Sequence, residues 1–186
     1  MESGKYYPAP KKWPSWGVSN YRPISLLPIV SKVMERCVYN LIIEHISSQL
    51  YNLHHGFLKG KSTTSQLLEV SNEIGGMLDN RVQVDTIYLD FAKAFDRVDH
   101  HLLLKKLHLF GNNGSLFCWF SDYLSNRFQL VNVPGKTSDL LPVISGVLQG
   151  SILGPLMFLI YVNDLATVSV NSSMALFRMT PNATVP

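Results

Sequence analysis

The feature that most constrains the fold is the stretch VQVDTIYLDF at residues 82–91, which is rich in β-branched and aromatic residues. Such a run is typical of a β-strand. Because side chains alternate along a strand, Asp90 at its carboxyl end shares a face with Thr86 and Tyr88. A carboxylate oxygen is the ligand that Mg²⁺ prefers in proteins. The pattern therefore predicts a strand that carries Asp90 as a candidate metal ligand.

Further aspartates and histidines follow shortly after Asp90, in the stretch FAKAFDRVDHH. Asp96 lies too far along the chain to share one small cation with Asp90 if the intervening residues turn helical. We therefore interpret Asp96 and Asp99 as capping and surface residues. His100 and His101 are predicted to lie at the surface in the first turn of a helix. Asp90 is the one metal-ligand candidate of this segment.

The N-terminal region is rich in proline and aromatic residues. After it, apolar residues recur with helical spacing from Ile29 to Leu50, which predicts an amphipathic helix that faces the core. Thr63 or Thr64 can cap a helix that runs to Leu78. Other helices are predicted at 99–109, 114–125 and 154–168.

Two turn-flanking runs predict a β-hairpin. FQLVNV and LPVISGV lie on either side of PGKTSD, which is typical of a turn. SSMALF at 172–177 predicts a short last strand. Long helices interspersed with antiparallel strand pairs are typical of the α+β class, and we expect that class here.

Composition narrows the class of protein. The chain has 186 residues, of which 46% are hydrophobic, so it can bury a core. Its two cysteines, Cys37 and Cys118, have neither zinc-ligand nor disulfide-framework spacing. The N-terminus has no apolar signal-peptide core, and the apolar run 152–162 is too short to span a bilayer. These features predict an intracellular protein, cytoplasmic or nuclear, without membrane association, and its net charge of +3 permits an anionic partner.

The basic stretch GFLKGKST at 56–63 ends like a phosphate-binding loop. That loop needs four residues between its glycines, because its length wraps backbone N–H groups around a phosphate. Only three residues separate Gly56 from Gly60, so the pattern argues against a P-loop. It indicates instead a basic loop before a capped helix, in which Lys59 and Lys61 can meet phosphates.

Glycines at positions 146, 150 and 154 recur in SGVLQGSILGP at 145–155. Two interpretations stay open at this point. The spacing suits close packing of a helix against its neighbours, and glycine also serves where backbone must approach a ligand. In the second case Gln149 would present both a donor and an acceptor beside that ligand.

Taken in order, these segments resemble the reverse transcriptase domain of non-LTR (LINE-like) retrotransposons. The resemblance covers about residues 8–177, and its pieces are NYRPISLLPIVSKVMERCV, HHGFLKGKSTTSQLLEV, YLDFAKAFDRVDHHLLLKKL, DYLSNRFQLV and SGVLQGSILGPLMFLIYVNDL. It implies an α+β right-hand polymerase with fingers and an incomplete palm, and without a thumb. The implied boundaries are an N-terminal arm at 1–20, fingers and partial palm at 21–177, and a divergent tail at 178–186.

The resemblance also implies roles for individual residues. Asp90 matches the first catalytic carboxylate and metal ligand, and the carbonyl of Phe91 matches a further metal ligand. Phe95 matches the bulky residue that packs beneath the incoming sugar and excludes a 2′-hydroxyl. The residues expected to contact the nucleotide are Phe91, Ala92, Phe95, Gln149 and Gly150. Those expected to contact phosphate or template are Arg22, Lys59 and Lys61.

The chain departs from the family pattern after residue 177. The family continues with Ala-Asp-Asp, whereas this sequence has Arg178, Met179 and Thr180. The implied activity is RNA-directed DNA synthesis, which uses an RNA template, a DNA primer, dNTP and Mg²⁺. Of the catalytic carboxylates that the family pattern contains, this sequence retains Asp90 alone. We therefore expect the chain to be a fragment that does not catalyse this reaction by itself. Two alternatives are a non-catalytic nucleic-acid-binding remnant and an unstable product of a truncated gene model.

Overall fold

The computed structural model describes residues 4–10, 21–168 and 174–176. Residues 4–10 and 21–23 are described by their backbone alone. The chain divides into two compact units: the first comprises Met1–Gln49 and Phe95–Tyr161, and the second comprises Leu50–Ala94 and Val162–Pro186. Both helices and strands are present, as the predicted α+β class requires. The tail predicted at 178–186 lies outside the described residues, as does part of the predicted last strand.

The sheet belongs to the first unit and is ordered β2-β1-β3-β4, with β5 also paired to β3. Its strands are β1 (Gly4–Pro10), β2 (Tyr21–Leu26), β3 (Phe128–Val133), β4 (Lys136–Thr137) and β5 (Leu141–Pro142). β1 pairs with β2 antiparallel, Lys5 opposite Leu26, and with β3 parallel, Lys5 opposite Leu130. Residues 4–10, within the predicted N-terminal arm, thus form a central strand.

The predicted hairpin is confirmed, with shorter return strands than expected. Val133 of β3 pairs with Lys136 of β4, so Pro134 and Gly135 form the tight turn. Gly135 has a φ of 81°, a conformation that glycine adopts without a steric penalty. β5 then pairs with the beginning of β3, Phe128 opposite Pro142. The chain continues from β5 into the loop that carries Gln149.

The helices are α1 (Ile29–Ile46), α2 (Thr63–Asp79), α3 (His100–Leu109), α4 (Gly114–Leu124) and α5 (Leu153–Val162), with 3₁₀-helices at Ala94–Arg97 and Asn163–Val168. Each predicted helix exists, although α1 and α5 end earlier than predicted. The cap predicted for α3 is confirmed, since Asp99 accepts a hydrogen bond from the Leu102 N–H at 2.7 Å. The cap predicted for α2 is wrong by one residue. Ser62, in extended conformation, accepts from the Ser65 N–H at 3.1 Å.

The core of the first unit is built around α5. Most of this helix is buried, including Leu153, Leu156 and Ile160. Pro155 lies in its first turn, where the missing N–H of proline costs no intrahelical hydrogen bond. Fully buried side chains of the same unit's other helices are Ile42, Ile46, Leu103, Leu107 and Phe120.

The burial predicted for α1 is wrong for most of its apolar residues. The buried positions are Glu35, Ile42 and Ile46. Ile29 and Val30, which the spacing also assigns to the core, are 81% and 80% exposed. The helix has two apolar faces, and spacing alone does not tell which of them packs.

The strand predicted at residues 82–91 is not formed. This segment follows α2 in the second unit without strand pairing to any described residue. Its apolar side chains are exposed: Ile87 by 83%, Tyr88 by 89% and Leu89 by 68%. A strand needs a neighbour for its backbone hydrogen bonds, and β-propensity does not supply one.

Within the described part of the chain, no helix combines the length and the apolar character needed to cross a bilayer.

Candidate functional site

The loop at residues 145–150 is hydrogen-bonded along its length to the segment 95–100, which contains the end of the 3₁₀-helix and the start of α3. We refer to this contact within the first unit as the junction. The Val147 N–H donates to the Phe95 carbonyl at 2.8 Å, and the Gly146 N–H donates to the Val98 carbonyl at 2.7 Å. The Ser145 hydroxyl donates to the carbonyl of Asp96 at 3.0 Å. The junction therefore fixes the loop relative to the segment that carries Phe95 and Asp96.

Gly146 is required at the centre of the junction for two separate reasons. Its φ is 89°, which L side chains rarely adopt. A Cβ at this position would also lie 2.9 Å from both the Cα and the carbonyl oxygen of Asp96. The Gly146 carbonyl accepts from Nε2 of His100 at 2.8 Å. Because a carbonyl only accepts, His100 must carry a proton on Nε2. His100 thus lies in the first turn of α3, as predicted, but it is half-buried and contacts the loop.

Gln149 follows in the loop and is held at two points. Its backbone carbonyl accepts from the Ser25 N–H of β2 at 2.8 Å. Its side-chain Nε2 donates to Oδ1 of Asp96 at 2.8 Å. Asp96, interpreted from the sequence as a capping or surface residue, is half-buried, and its side chain contacts Gln149, a predicted nucleotide-binding residue.

Gly150 brings the same loop close to β2. Its φ is 100°, and a Cβ here would lie 3.0 Å from the carbonyl oxygen of Ser25. At Gly154, in the first turn of α5, a Cβ would collide with the Leu148 carbonyl, so this glycine lets the preceding loop fold closely against the helix. At Gly150 the close neighbour is the backbone of a strand. The residue itself is exposed.

Phe95 is the buried aromatic residue of the junction. Its side chain is 7% exposed, and its ring stacks on Phe158 of α5 with centroids 4.7 Å apart and planes 15° apart. A stacked ring on a buried helix has few alternative rotamers, because neighbouring side chains fill the space. The junction thus places Phe95, Asp96, Gln149 and Gly150 on linked segments of one unit.

A buried carboxylate supports the end of the loop. Glu35 of α1 is 2% exposed and accepts from the Tyr123 hydroxyl at 2.6 Å and from the Ile152 N–H at 2.7 Å. Burial, followed by the Glu35 charge, raises the pKa of Tyr123 well above its ordinary value, so this phenol stays a donor. Glu35 therefore ties α4 to the residue that precedes α5.

Of the two carboxylates, Glu35 and Asp96, only Glu35 has a local signal for its role in the sequence. Glu35 is a charged residue seven positions before Ile42 and eleven before Ile46, on the same buried face of α1. A carboxylate on an apolar stripe needs buried partners, so its position predicts a polar contact. The contact between Asp96 and Gln149 has no such local signal, because it joins residues 53 positions apart.

The remaining predicted nucleotide and metal residues belong to the second unit. Asp90, Phe91 and Ala92 are exposed, Phe91 by 44%. Within residues 4–10, 21–168 and 174–176, no group of three or more histidine, cysteine, aspartate or glutamate side chains is placed to hold a metal ion. Among the described residues, Asp90 therefore has no cluster of further metal ligands around it.

The predicted phosphate contacts divide among three environments. Lys59 is exposed. The ammonium of Lys61 donates to the Asn52 carbonyl at 3.2 Å and lies 3.8 Å from a carboxylate oxygen of Glu69, so part of its charge is balanced internally. Arg22 lies on β2 opposite Ala9, and its side chain is outside the described part of the structure.

Two buried histidines form a feature of the second unit that spacing did not reveal. His55 contacts the Ser65 hydroxyl through Nδ1 at 2.9 Å and Glu69 through Nε2 at 2.8 Å. His54 is 2% exposed, and its Nε2 has no hydrogen-bond partner among the described residues. Burial, and then the neighbouring His55, lowers the pKa of His54 to about 4.

Comparison with known proteins gives a consistent set of similarities. The family model described as reverse transcriptase (RNA-dependent DNA polymerase) matches residues 9–173. The RNA-directed DNA polymerase from mobile element jockey of Drosophila melanogaster is 34% identical over 153 residues, which are 81% of this chain and 16% of that protein. The probable RNA-directed DNA polymerase from transposon X-element of the same organism is 35% identical over 155 residues, 82% of this chain and 17% of its own length.

A more distant similarity extends to a bacterial protein. The group II intron-encoded protein LtrA of Lactococcus lactis is 25% identical over an alignment that covers 100% of this chain and 30% of that protein.

The chain spans about one sixth of the length of the two Drosophila melanogaster relatives described above.

Proposed function

Because the chain belongs to the reverse transcriptase (RNA-dependent DNA polymerase) family, we propose that its residues serve RNA-templated DNA synthesis by a non-LTR retrotransposon. In this proposal its partners are an RNA template, a DNA primer and an incoming dNTP. The described units correspond to fingers and part of the palm. Phe95, Gln149 and Gly150 contact the nucleotide, as do Phe91 and Ala92, and Arg22, Lys59 and Lys61 contact phosphate or template.

The observation that carries the proposal is the junction. Backbone hydrogen bonds of 2.7–2.8 Å join Gly146 and Val147 of the loop to the segment 95–98. The Gln149 side chain adds a hydrogen bond of 2.8 Å to Asp96. A nucleotide pocket needs backbone that can approach the ligand, which a glycine permits, and polar groups placed beside it. Gln149 supplies such a group, and Phe95 supplies a bulky ring held against α5. This arrangement supports a pocket in which Phe95 limits the size of the sugar.

Reverse transcriptases use Mg²⁺, which a two-metal site would hold as a pair of ions. Two such ions about 3.5–4 Å apart need several carboxylates. The described ranges offer the exposed Asp90 and no cluster of ligands around it. By themselves the described residues do not fit a two-metal site. Our proposal assigns Asp90, with the Phe91 carbonyl, as one contributor to such a site.

The proposal is tested by binding of the purified chain to a fluorescent RNA–DNA primer–template with a single-stranded template overhang, followed by anisotropy. We expect affinity that falls as salt rises, because phosphate contacts release counterions. We also expect the dNTP complementary to the next template base to tighten binding about 3- to 10-fold over a mismatched dNTP, the effect of about one hydrogen bond. Gln149→Met should abolish that discrimination.

The matched control is Gln83→Met, which replaces an exposed glutamine of the second unit and should leave discrimination intact. Salt-dependent binding without any dNTP discrimination would replace the proposal with non-specific nucleic-acid binding. No binding to the primer–template at any salt concentration would overturn it. We expect no primer extension from this chain with Mg²⁺ or Mn²⁺.

A further inference from the structure

We propose that Asp96 is a positioning residue that sets the orientation of the Gln149 side-chain amide. By accepting from Nε2, Asp96 leaves Oε1 of Gln149 as the acceptor that meets a hydroxyl or amino donor of the bound nucleotide or template. This inference rests on the proposed function of the junction, and it assigns to Asp96 a role that the resemblance did not imply.

The chemistry of the pair decides which way the amide faces. The oxygen and nitrogen of a glutamine amide have nearly the same shape, so shape alone does not fix their assignment. An ionised carboxylate has acceptors only. The side-chain atom of Gln149 that lies 2.8 Å from Oδ1 of Asp96 must therefore be the nitrogen. The reverse orientation would place two acceptor oxygens against each other.

Asp96 can impose this orientation because its own backbone is fixed. Its carbonyl accepts from the Ser145 hydroxyl at 3.0 Å. The preceding Phe95 carbonyl accepts from the Val147 N–H at 2.8 Å. Gly146 packs so closely on Asp96 that a Cβ would lie 2.9 Å from the Asp96 Cα. The carboxylate therefore projects from a segment that cannot easily move away from the loop.

Gln149 is equally restrained at its other end. Its backbone carbonyl accepts from the Ser25 N–H at 2.8 Å, so its Cα is tied to β2. With backbone and amide both held, the side chain loses its rotamer freedom before a ligand arrives. Among the described residues, Oε1 of Gln149 has no hydrogen-bond donor. The group that stays available is therefore an acceptor, and one N–H of the amide stays available beside it.

A direct test is the exchange of the Gln149 side-chain amide protons in the ¹⁵N-glutamine-labelled chain, observed by NMR. The resonance is assigned by its loss in Gln149→Met. We expect Asp96→Ala to speed exchange about 3- to 10-fold, because it removes the acceptor. Asp96→Asn keeps an acceptor oxygen of similar position, so it should keep exchange within about 2-fold of wild type. Asp122→Ala, at an exposed aspartate of α4, is the control for loss of a negative charge.

A second readout separates positioning from a merely structural role. In the primer–template assay, Asp96→Ala should weaken complementary dNTP binding in the wild-type background and have no further effect in the Gln149→Met background. Residues that act through one another show this non-additivity. An additive loss would overturn the inference, as would unchanged amide exchange in Asp96→Ala.

The two hypotheses fail separately. If the chain binds no nucleotide, the proposed function fails while amide exchange still decides whether Asp96 orients Gln149. If Asp96→Ala does not fold, Asp96→Asn and Asp96→Ser take its place, since serine is too short to reach the amide. Faster amide exchange in Asp96→Ser together with a wild-type exchange rate in Asp96→Asn supports the inference. Equal exchange rates in the two variants contradict it.

Discussion

At the scale of single residues, the buried carboxylate of Glu35 carries the most consequence for stability. It accepts two hydrogen bonds, from the Tyr123 hydroxyl and the Ile152 N–H, while it is 2% exposed. A buried donor that loses its acceptor costs about 1–3 kcal/mol. Each partner of Glu35 would be left in that state if the carboxylate were removed.

We therefore predict that Glu35→Ala lowers the free energy of unfolding by about 2–5 kcal/mol, the sum for two unsatisfied donors and the lost packing. Urea denaturation at neutral pH measures it. The control is Glu44→Ala, at an exposed glutamate of the same helix, with an expected change within about 0.5 kcal/mol. Equal effects of the two substitutions would show that Glu35 does not hold α4 and α5 together.

Sequence alone located some of these residues better than others. Asp99 was predictable as a cap, because a helix N-terminus satisfies its N–H groups with the nearest side chain. The contact of Asp96 with Gln149 joins residues 53 positions apart. Local spacing carries no information about such a contact, and only the glycine at 146 that permits the approach was visible in the sequence.

At the scale of elements, α1 shows what periodicity can and cannot settle. Apolar spacing correctly predicted a helix from Ile29, since it reflects a local backbone preference combined with burial. It did not identify the packed face, because residues on either side of the helix are apolar. Ile42 is 1% exposed, whereas the adjacent Leu41 is 66% exposed.

These neighbours provide a matched pair of substitutions. Ile42→Ala is expected to lower the free energy of unfolding by about 2–5 kcal/mol, because it removes buried methyl groups and leaves a cavity. Leu41→Ala is expected to change it by less than about 0.5 kcal/mol, as its side chain is already in solvent. Chemical denaturation of both variants is the measurement. A larger loss for Leu41→Ala would mean that the packed face of α1 is the opposite one.

The segment 82–91 shows that residue preference alone does not decide whether a strand forms. Its residues favour extended backbone, and the prediction of a strand rested on that preference alone. Whether a strand forms depends on a second segment that offers hydrogen-bond partners, and that segment can lie anywhere in the chain. None of the described residues pairs with it. The candidate role of Asp90 thus rests on the resemblance rather than on a formed strand.

At the scale of the whole molecule, a buried histidine makes the free energy of unfolding depend on pH. The second unit contains His54, whose pKa burial lowers from 6.5 to about 4. Between these values the unfolded chain binds a proton at His54 that the folded chain does not bind. The contribution of His54 to the free energy of unfolding is therefore fully present above about pH 6.5 and decreases as the pH falls toward 4. Below that pH both states are protonated and the loss is complete.

We predict that this loss amounts to at most about 3 kcal/mol, the free energy equivalent to such a difference in pKa. The stability of wild type and His54→Phe should be compared between pH 4 and pH 8 by urea denaturation. His54→Phe should flatten the dependence, because phenylalanine does not titrate. The control His101→Phe, at an exposed position, should keep the wild-type slope. Parallel curves for His54→Phe and wild type would exclude His54 as the cause.

The close contact at Gly146 has a genetic consequence. Any change in the first or second base of a glycine codon introduces a side chain or a stop, and every side chain larger than hydrogen meets the Asp96 backbone at 2.9 Å. A second mutation cannot readily restore the fit, because the atoms in the way belong to main chain that no codon changes. A gene copy that loses this glycine is therefore expected to regain the junction by reversion rather than by compensation elsewhere.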